Sequence, residues 1–205
     1  MADDINPDDL EVADELIAER RSAAPGEKLP DDMIPWMAKT ITFIDVASLW
    51  IGRTVCWFMV PLCLVMVYEV IARKFFVSPT MWAYDISRMC YGAMFMLGAG
   101  YALMRGVHIR ADFLYRNWSD RTQGTVDTIL YLVLFFPGMV IFFYMSFDYA
   151  STAVIRGERS MDTAWMPYIG PIKSAIPLGI IFLTMQGISE VFKSIYAMRK
   201  GRWPV

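Results

Sequence analysis

The chain has 205 residues, of which 56% are hydrophobic and 15% aromatic, and its formal net charge is −2. So large an apolar fraction argues against an average soluble domain and indicates an integral membrane protein. Three cysteines without a C-x-x-C spacing argue against a zinc site or a disulfide framework, and no charge run is long enough to indicate nucleic-acid binding.

The N-terminal segment is acidic. Residues 1–32 hold 11 acidic and 3 basic residues and end in the linker-like run "SAAPGEKLPDD". Asn6 and Pro7 are typical helix-starting residues, so a short surface helix is expected there. The first residues lack the basic and apolar regions of a signal peptide, and we expect insertion to use internal spans. The prediction is a cytoplasmic tail over 1–32 and a membrane domain over 33–205.

The next segment, residues 35–52, is apolar apart from a polar stripe at helical spacing. The stripe consists of Lys39, Thr42, Asp45 and Ser48. Such a helix fits an interfacial position in which the stripe faces the lipid headgroups. The alternative is a fifth span, in which Lys39 and Asp45 would each cost about 2.5–3.5 kcal/mol on insertion scales. We therefore expect an amphipathic interfacial helix.

Four longer apolar segments follow, and they predict spans over about 54–76, 81–104, 125–147 and 174–195. Charged residues lie near one end of three of these segments, so those ends must face the headgroups or a partner. The charged residues are Glu69, Asp85, Arg88 and Glu190. The predicted fold class is all-α: an integral membrane protein with four transmembrane helices preceded by the interfacial helix.

Lysine and arginine are distributed unevenly about the predicted spans. Ten lie near the span ends that share a side with the N-terminus, and five lie near the opposite ends. Cytoplasmic loops of membrane proteins carry the excess of basic residues. Both termini are therefore predicted to be cytoplasmic.

Two short features of the second span could mediate contacts. Asp85 and Arg88 are three residues apart and can meet on one helix face, either to dock a partner or to neutralise each other at the interface. Gly98 and Ala102 form a small-xxx-small pair that would let another helix approach closely. Both features remain open between a partner contact and a purely internal role.

The sequence contains no catalytic constellation. A haem-b protein needs paired histidines facing each other, and this chain has one histidine. The motifs of P-loop nucleotide hydrolysis, zinc proteolysis and the serine nucleophile elbow are absent from the sequence. We predict a protein that is no enzyme and binds no cofactor or metal. A stand-alone four-helix homo-oligomeric transporter of small molecules remains the alternative to an accessory subunit.

The stretch "WAYDISRMCYGAMFMLGAGYALMRGVHIRADFLY", residues 82–115, resembles the small membrane subunit of tripartite ATP-independent periplasmic (TRAP) transporters. The matching residues are Trp82, Asp85, Arg88, Leu97, Gly98, Ala99, Gly106, His108, Arg110 and Asp112. The "IPLGI" run with Pro177 and Gly179, followed by Gln186, resembles the family's last span. The family commonly has glutamate where this chain has Asp85, and its usual N-terminal tail is shorter.

The resemblance implies a subunit in the bacterial inner membrane that does not itself carry solute. A large multi-span subunit would bind the solute and sodium ions, and a periplasmic binding protein would deliver the solute, usually an organic anion. The small subunit would brace the large one and contact membrane lipids, with no nucleic-acid partner. The candidate partner-interface residues are Trp82, Asp85, Arg88, Gly98, Ala102, Gly106, His108, Arg110 and Asp112. The basic run after the second span, 105–120, is then expected to be a cytoplasmic hinge at the membrane surface.

Overall fold

The computed structural model describes residues 29–30, 32–106 and 118–204. Nearly all of these residues that are in regular structure are helical, as predicted. The helices are α1 (Pro35–Cys56), α2 (Met59–Phe75), α3 (Ala83–Met104), α4 (Asp120–Leu130), a π-helical turn (Tyr131–Phe135), α5 (Phe136–Ile155) and α6 (Gly170–Lys200). Residues 1–28 and 31 of the acidic tail and three interface candidates, His108, Arg110 and Asp112, lie outside the described residues.

Three stretches of the described chain are long and apolar enough to cross a membrane. They are Pro35–Phe75, Asp120–Ile155 and Gly170–Lys200. In the last of them, 50% of the most apolar 18 residues are buried inside the protein, whereas the corresponding shares in the first two are 11% and 6%. The stretch of helix α6 is therefore the most buried of the three, and the other two present apolar surface to their surroundings.

The helical ladder is interrupted between α1 and α2. The amides of Trp57 and Phe58 donate to carbonyls three residues earlier, at 3.2 and 3.0 Å, instead of four. Pro61 has no amide hydrogen with which to reach the Trp57 carbonyl, and the Val60 amide donates to that carbonyl at 3.2 Å. This proline explains why the break follows Cys56, slightly beyond the boundary expected at residue 52.

The described residues divide into two compact units. Unit one draws on the described residues of the segments Met1–Ser48, Tyr101–Phe136 and Met185–Val205, and unit two on Leu49–Gly100 and Pro137–Thr184. The apolar core of unit one is a cluster in which three residues spaced four apart, one just before α1 and two within it, meet the end of α6. Its buried members are Met33, Met37, Ile41 and Tyr196.

Glycine sets the distance between helices at one contact in each unit. In unit one, a Cβ placed on Gly124 of α4 would lie 2.7 Å from the Ser194 carbonyl oxygen of α6. In unit two, a Cβ on Gly179 of α6 would lie 2.4 Å from the Met96 carbonyl oxygen of α3. Backbones that approach this closely leave no room for any side chain, which explains both glycines.

Replacing Gly124 with alanine should destabilise the protein by about 1–3 kcal/mol, because the new methyl group overpacks a contact made by backbone atoms. A Cβ placed on Gly138 of α5 would have no atom within 4 Å, so Gly138→Ala is the matched control and should be neutral or slightly stabilising. Thermal unfolding of the detergent-purified chain measures both. Equal melting temperatures for the two variants would contradict this account of the α4–α6 contact.

Candidate functional site

Helices α1 and α6 are joined within unit one by a row of buried polar side chains. The Ser48 hydroxyl donates to Gln186 Oε1 at 2.7 Å. The Gln186 amide nitrogen donates to Asp45 Oδ1 at 2.9 Å, and the Ser189 hydroxyl donates to the same oxygen at 2.9 Å. Every one of these side chains is buried. We refer to this row, together with Glu190 and Lys193, as the α1–α6 polar row.

Lys193 occupies the charged end of the polar row. Its ammonium nitrogen lies 2.9 Å from Asp45 Oδ2 and 3.0 Å from Glu190 Oε1, and its side chain is 1% exposed. An isolated ammonium group in an apolar interior would be prohibitively costly, so the two carboxylates are what allow Lys193 to be buried. The three groups together fix the position of α1 on α6.

The polar row corrects the expected orientation of α1. Sequence analysis placed Lys39, Thr42, Asp45 and Ser48 on one stripe facing the headgroups. The structure leaves Lys39 and Thr42 exposed but buries Asp45 and Ser48 against α6. The complementary signal was present in the sequence as polar residues at helical spacing in the last span. Those residues are Gln186, Ser189, Glu190 and Lys193.

A second buried polar cluster lies in unit two around Asp85 at the start of α3. The Asp85 side chain is fully buried. It accepts hydrogen bonds from the hydroxyls of Ser160 and Thr163, and Arg88 approaches it at 3.4 Å. Ser160 and Thr163 belong to the loop 156–169 between α5 and α6. Asp85 therefore anchors this loop on α3.

Arg88 reinforces the same anchor from the surface. Its guanidinium pairs with Asp162 and donates to the Ser160 hydroxyl at 3.1 Å. The hydrogen bond from Arg88 is the main reason why the pKa of the Asp162 carboxyl lies below its usual value. Because this pKa is lowered on folding, the contact stabilises the loop at pH values above the ordinary carboxyl pKa. Its contribution is lost as the pH falls through the lowered value.

The loop 156–169 has a hairpin-like backbone. The Ser160 amide donates to the Pro167 carbonyl at 2.9 Å, and the Ile169 amide donates to the Glu158 carbonyl at 3.1 Å. Glu158 also accepts from Lys173 of α6 at 2.5 Å, and the Lys173 ammonium lies 3.9 Å from the ring centroid of Tyr149. The loop is thus held on α3 through Asp85 and on α6 through Lys173.

The other interface candidates in the described chain are not gathered into one site. The Trp82 ring stacks on Tyr68 of α2 at 5.6 Å. Gly98 faces Val55, whose nearest atom would lie 3.9 Å from a Cβ placed on that glycine. Ala102 is half-buried, and Gly106 ends the α3 segment with a φ of +69° that suits glycine. Of the six candidates that the structure describes, Asp85 and Arg88 are brought together.

The partners that the sequence analysis missed contribute hydroxyl groups or a backbone amide. Ser160 and Thr163 gave no signal, because they lie in a loop 75 and 78 residues from Asp85. Glu69, which the sequence placed near a span end, lies 2.6 Å from Arg73 on the same helix. The structure adds the Thr80 amide, which donates to the other Glu69 oxygen at 3.0 Å.

Removing the Lys193 charge should disrupt unit one. Lys193→Met leaves Asp45 and Glu190 as buried carboxylates without their cation, which should destabilise the chain by about 3–5 kcal/mol. Lys200→Met, on the same helix, removes an exposed lysine and should change stability little. Thermal unfolding monitored by size-exclusion chromatography in detergent compares them. A Lys193→Met protein as stable as Lys200→Met would show that the buried ion cluster does not hold α1.

Removing the Asp85 carboxylate should release the loop. In Asp85→Ala, the hydroxyls of Ser160 and Thr163 lose their acceptor, so amides that bond within 156–169 should exchange with deuterium about tenfold faster. Asp148→Asn, an exposed substitution on α5, is the control and should leave exchange unchanged. Hydrogen–deuterium exchange read by mass spectrometry tests this, and unaltered loop exchange in Asp85→Ala would refute the anchoring role.

Comparison with known proteins identifies the family. Residues 62–196, well over half of the chain, match the family described as "Tripartite ATP-independent periplasmic transporters, DctQ component". The sialic acid TRAP transporter permease protein SiaT of Haemophilus influenzae (strain 86-028NP) is 22% identical over 105 residues. Those residues cover 51% of this chain and 16% of that relative. No solved structure matches the chain significantly.

The family is one of transporter components and not of enzymes, in agreement with the absence of a catalytic motif from the sequence. The apolar helices agree with a membrane location. The chain belongs to the DctQ family, the small membrane subunits of TRAP transporters.

Proposed function

We propose that this chain braces the large subunit of a sodium-coupled TRAP importer of an organic anion and does not bind the solute itself. The observation that carries the proposal is that three charged side chains buried in the described part of the chain, Asp45, Lys193 and Asp85, hold its own helices and loop. Asp45 and Lys193 join α1 to α6, and Asp85 joins α3 to the 156–169 loop. A carrier would need buried polar groups turned towards a hydrated solute cavity.

The outer surface supports a role in contact with lipid and a larger membrane protein. Only Ala72 is buried among the residues of α2, and three residues are buried in α5. Large apolar side chains are exposed on both helices, including Leu64, Val67, Ile71, Val140, Ile141 and Phe142. Exposed apolar surface of this extent indicates a membrane-embedded or protein-covered face. A bracing subunit whose helices are held together by buried polar contacts, and whose outer surface is apolar, would have such a face.

The proposed topology has four spans and an interfacial helix α1. The apolar stretch Pro35–Phe75 has 41 residues and would be about 62 Å long as one helix, roughly twice the hydrocarbon thickness. The break after Cys56 lets α1 lie at the interface while α2 crosses. Helix α3 has 22 residues, long enough for a span of about 33 Å. The remaining spans are the α4–α5 segment and α6, with both termini in the cytoplasm.

The proposed partners are a large multi-span TRAP subunit and a periplasmic substrate-binding protein in the bacterial inner membrane. The nine interface candidates of the sequence analysis are kept as candidates for the contact with the large subunit. The relative SiaT is named for a sialic acid transporter, and sialic acid is an organic anion. That name supports the organic-anion class but does not identify this protein's solute.

Reconstitution separates the proposed function from a stand-alone carrier. Liposomes that contain only this chain should show no sodium-driven uptake of organic anions, because the chain lacks the transport pathway. Adding a large subunit and a binding protein from the same transporter should produce uptake. Radiolabelled solute accumulation under a sodium gradient measures both conditions. Uptake by the lone chain would instead establish the homo-oligomeric transporter.

A further inference from the structure

Unit two carries an open groove that divides into a charged end and an apolar end. Its volume is about 620 Å³, and its walls come from α3, α5, the start of α6 and the 156–169 loop. Arg88 and Arg159 lie at the charged end, and Phe95 and Ile176 lie in the apolar part. We call it the amphipathic groove.

The charged end combines the guanidinium of Arg159 with the partly exposed carboxylate of Asp162. Among the described residues, no carboxylate lies within ion-pair distance of Arg159, which donates to the Met166 carbonyl at 3.4 Å. The other two cations of the groove are paired, Lys173 with Glu158 and Arg88 with Asp85 and Asp162. The Asp162 side chain remains 50% exposed. The groove rim therefore offers a site for an anionic group next to a site for a cationic one.

The apolar part extends away from this rim along α3. From Arg88 to Met96 the helix advances by about 12 Å at 1.5 Å per residue. Phe95 is largely exposed along this stretch, and Ile172 and Ile176 of α6 form the facing wall. One leaflet of the hydrocarbon core is about 15 Å thick, half of roughly 30 Å. The apolar part thus has nearly the length of one leaflet.

We propose that the amphipathic groove binds one zwitterionic glycerophospholipid. The lipid phosphate accepts hydrogen bonds from Arg159, the ammonium group of the headgroup faces Asp162, and an acyl chain lies along Phe95 and Ile176. A soluble anion would satisfy Arg159 but leave the apolar walls uncovered. A purely anionic lipid would satisfy Arg159 but bring no cation to Asp162. The bound lipid fills the surface between α3 and α6 beneath the loop that Asp85 anchors.

The experiment titrates the delipidated full chain in detergent with a palmitoyl-oleoyl phosphatidylethanolamine and counts bound lipid by native mass spectrometry. The native chain should retain one lipid. Arg159→Gln should weaken binding about tenfold, because a charge-assisted hydrogen bond to the phosphate is lost. Arg159→Lys should lose less. The matched control is Arg156→Gln, an exposed arginine outside the groove, which should bind as the native chain does.

Parallel titrations decide what occupies the groove. Glycerophosphoethanolamine and inorganic phosphate should bind far more weakly than the lipid, because neither covers the apolar walls. Phosphatidylglycerol of the same chain length should bind more weakly than the zwitterionic lipid. Equal binding of the headgroup alone would indicate a free-anion site, and equal weakening by Arg156→Gln would indicate unspecific charge attraction. Either result, or the absence of a retained lipid, would overturn the proposal; uptake measurements do not enter into it.

Discussion

The burial of Lys193 between two carboxylates is the constraint on which unit one depends. An ammonium group that is 1% exposed has to be matched at close range, and only Asp45 on α1 and Glu190 on α6 are seen to do so within the described chain. Hydrogen bonds also fix the orientation of the Asp45 carboxylate, because Gln186 and Ser189 donate to its other oxygen. Sliding α1 along α6 by one turn would break the contacts of Asp45 with Lys193, Gln186 and Ser189 together.

The same principle organises unit two on a smaller scale. Asp85 is fully buried, and its partners are hydroxyls from a loop far away in sequence. A hydroxyl hydrogen can rotate towards its acceptor, so these hydrogen bonds tolerate small displacements of the loop. Arg88 and Asp162 add an ion pair at the surface, where solvent screens the attraction between the charges. The buried hydrogen bonds therefore fix the loop, and the exposed pair contributes less.

These two clusters show what charged residues do in the interior of a chain so rich in apolar residues. The buried charges of Asp45, Lys193 and Asp85 hold helices or a loop together, and most of the side chains that α2 and α5 expose are apolar. This division of roles suits a subunit whose task is to present a fixed apolar surface. It also leaves few polar groups for the rim of the amphipathic groove, where Arg159 stands out because its charge is not matched by a carboxylate of the described chain.

The sequence by itself determined the all-helical class, the membrane character and the family, because apolar run length and the motif around Asp85 and Arg88 are local properties of the chain. Only the tertiary structure decided which side of α1 is buried, since that depends on Lys193, far away in sequence. It likewise decided that Asp85 faces an internal loop, because hydroxyl donors such as Ser160 and Thr163 carry no charge or periodicity that marks them in advance.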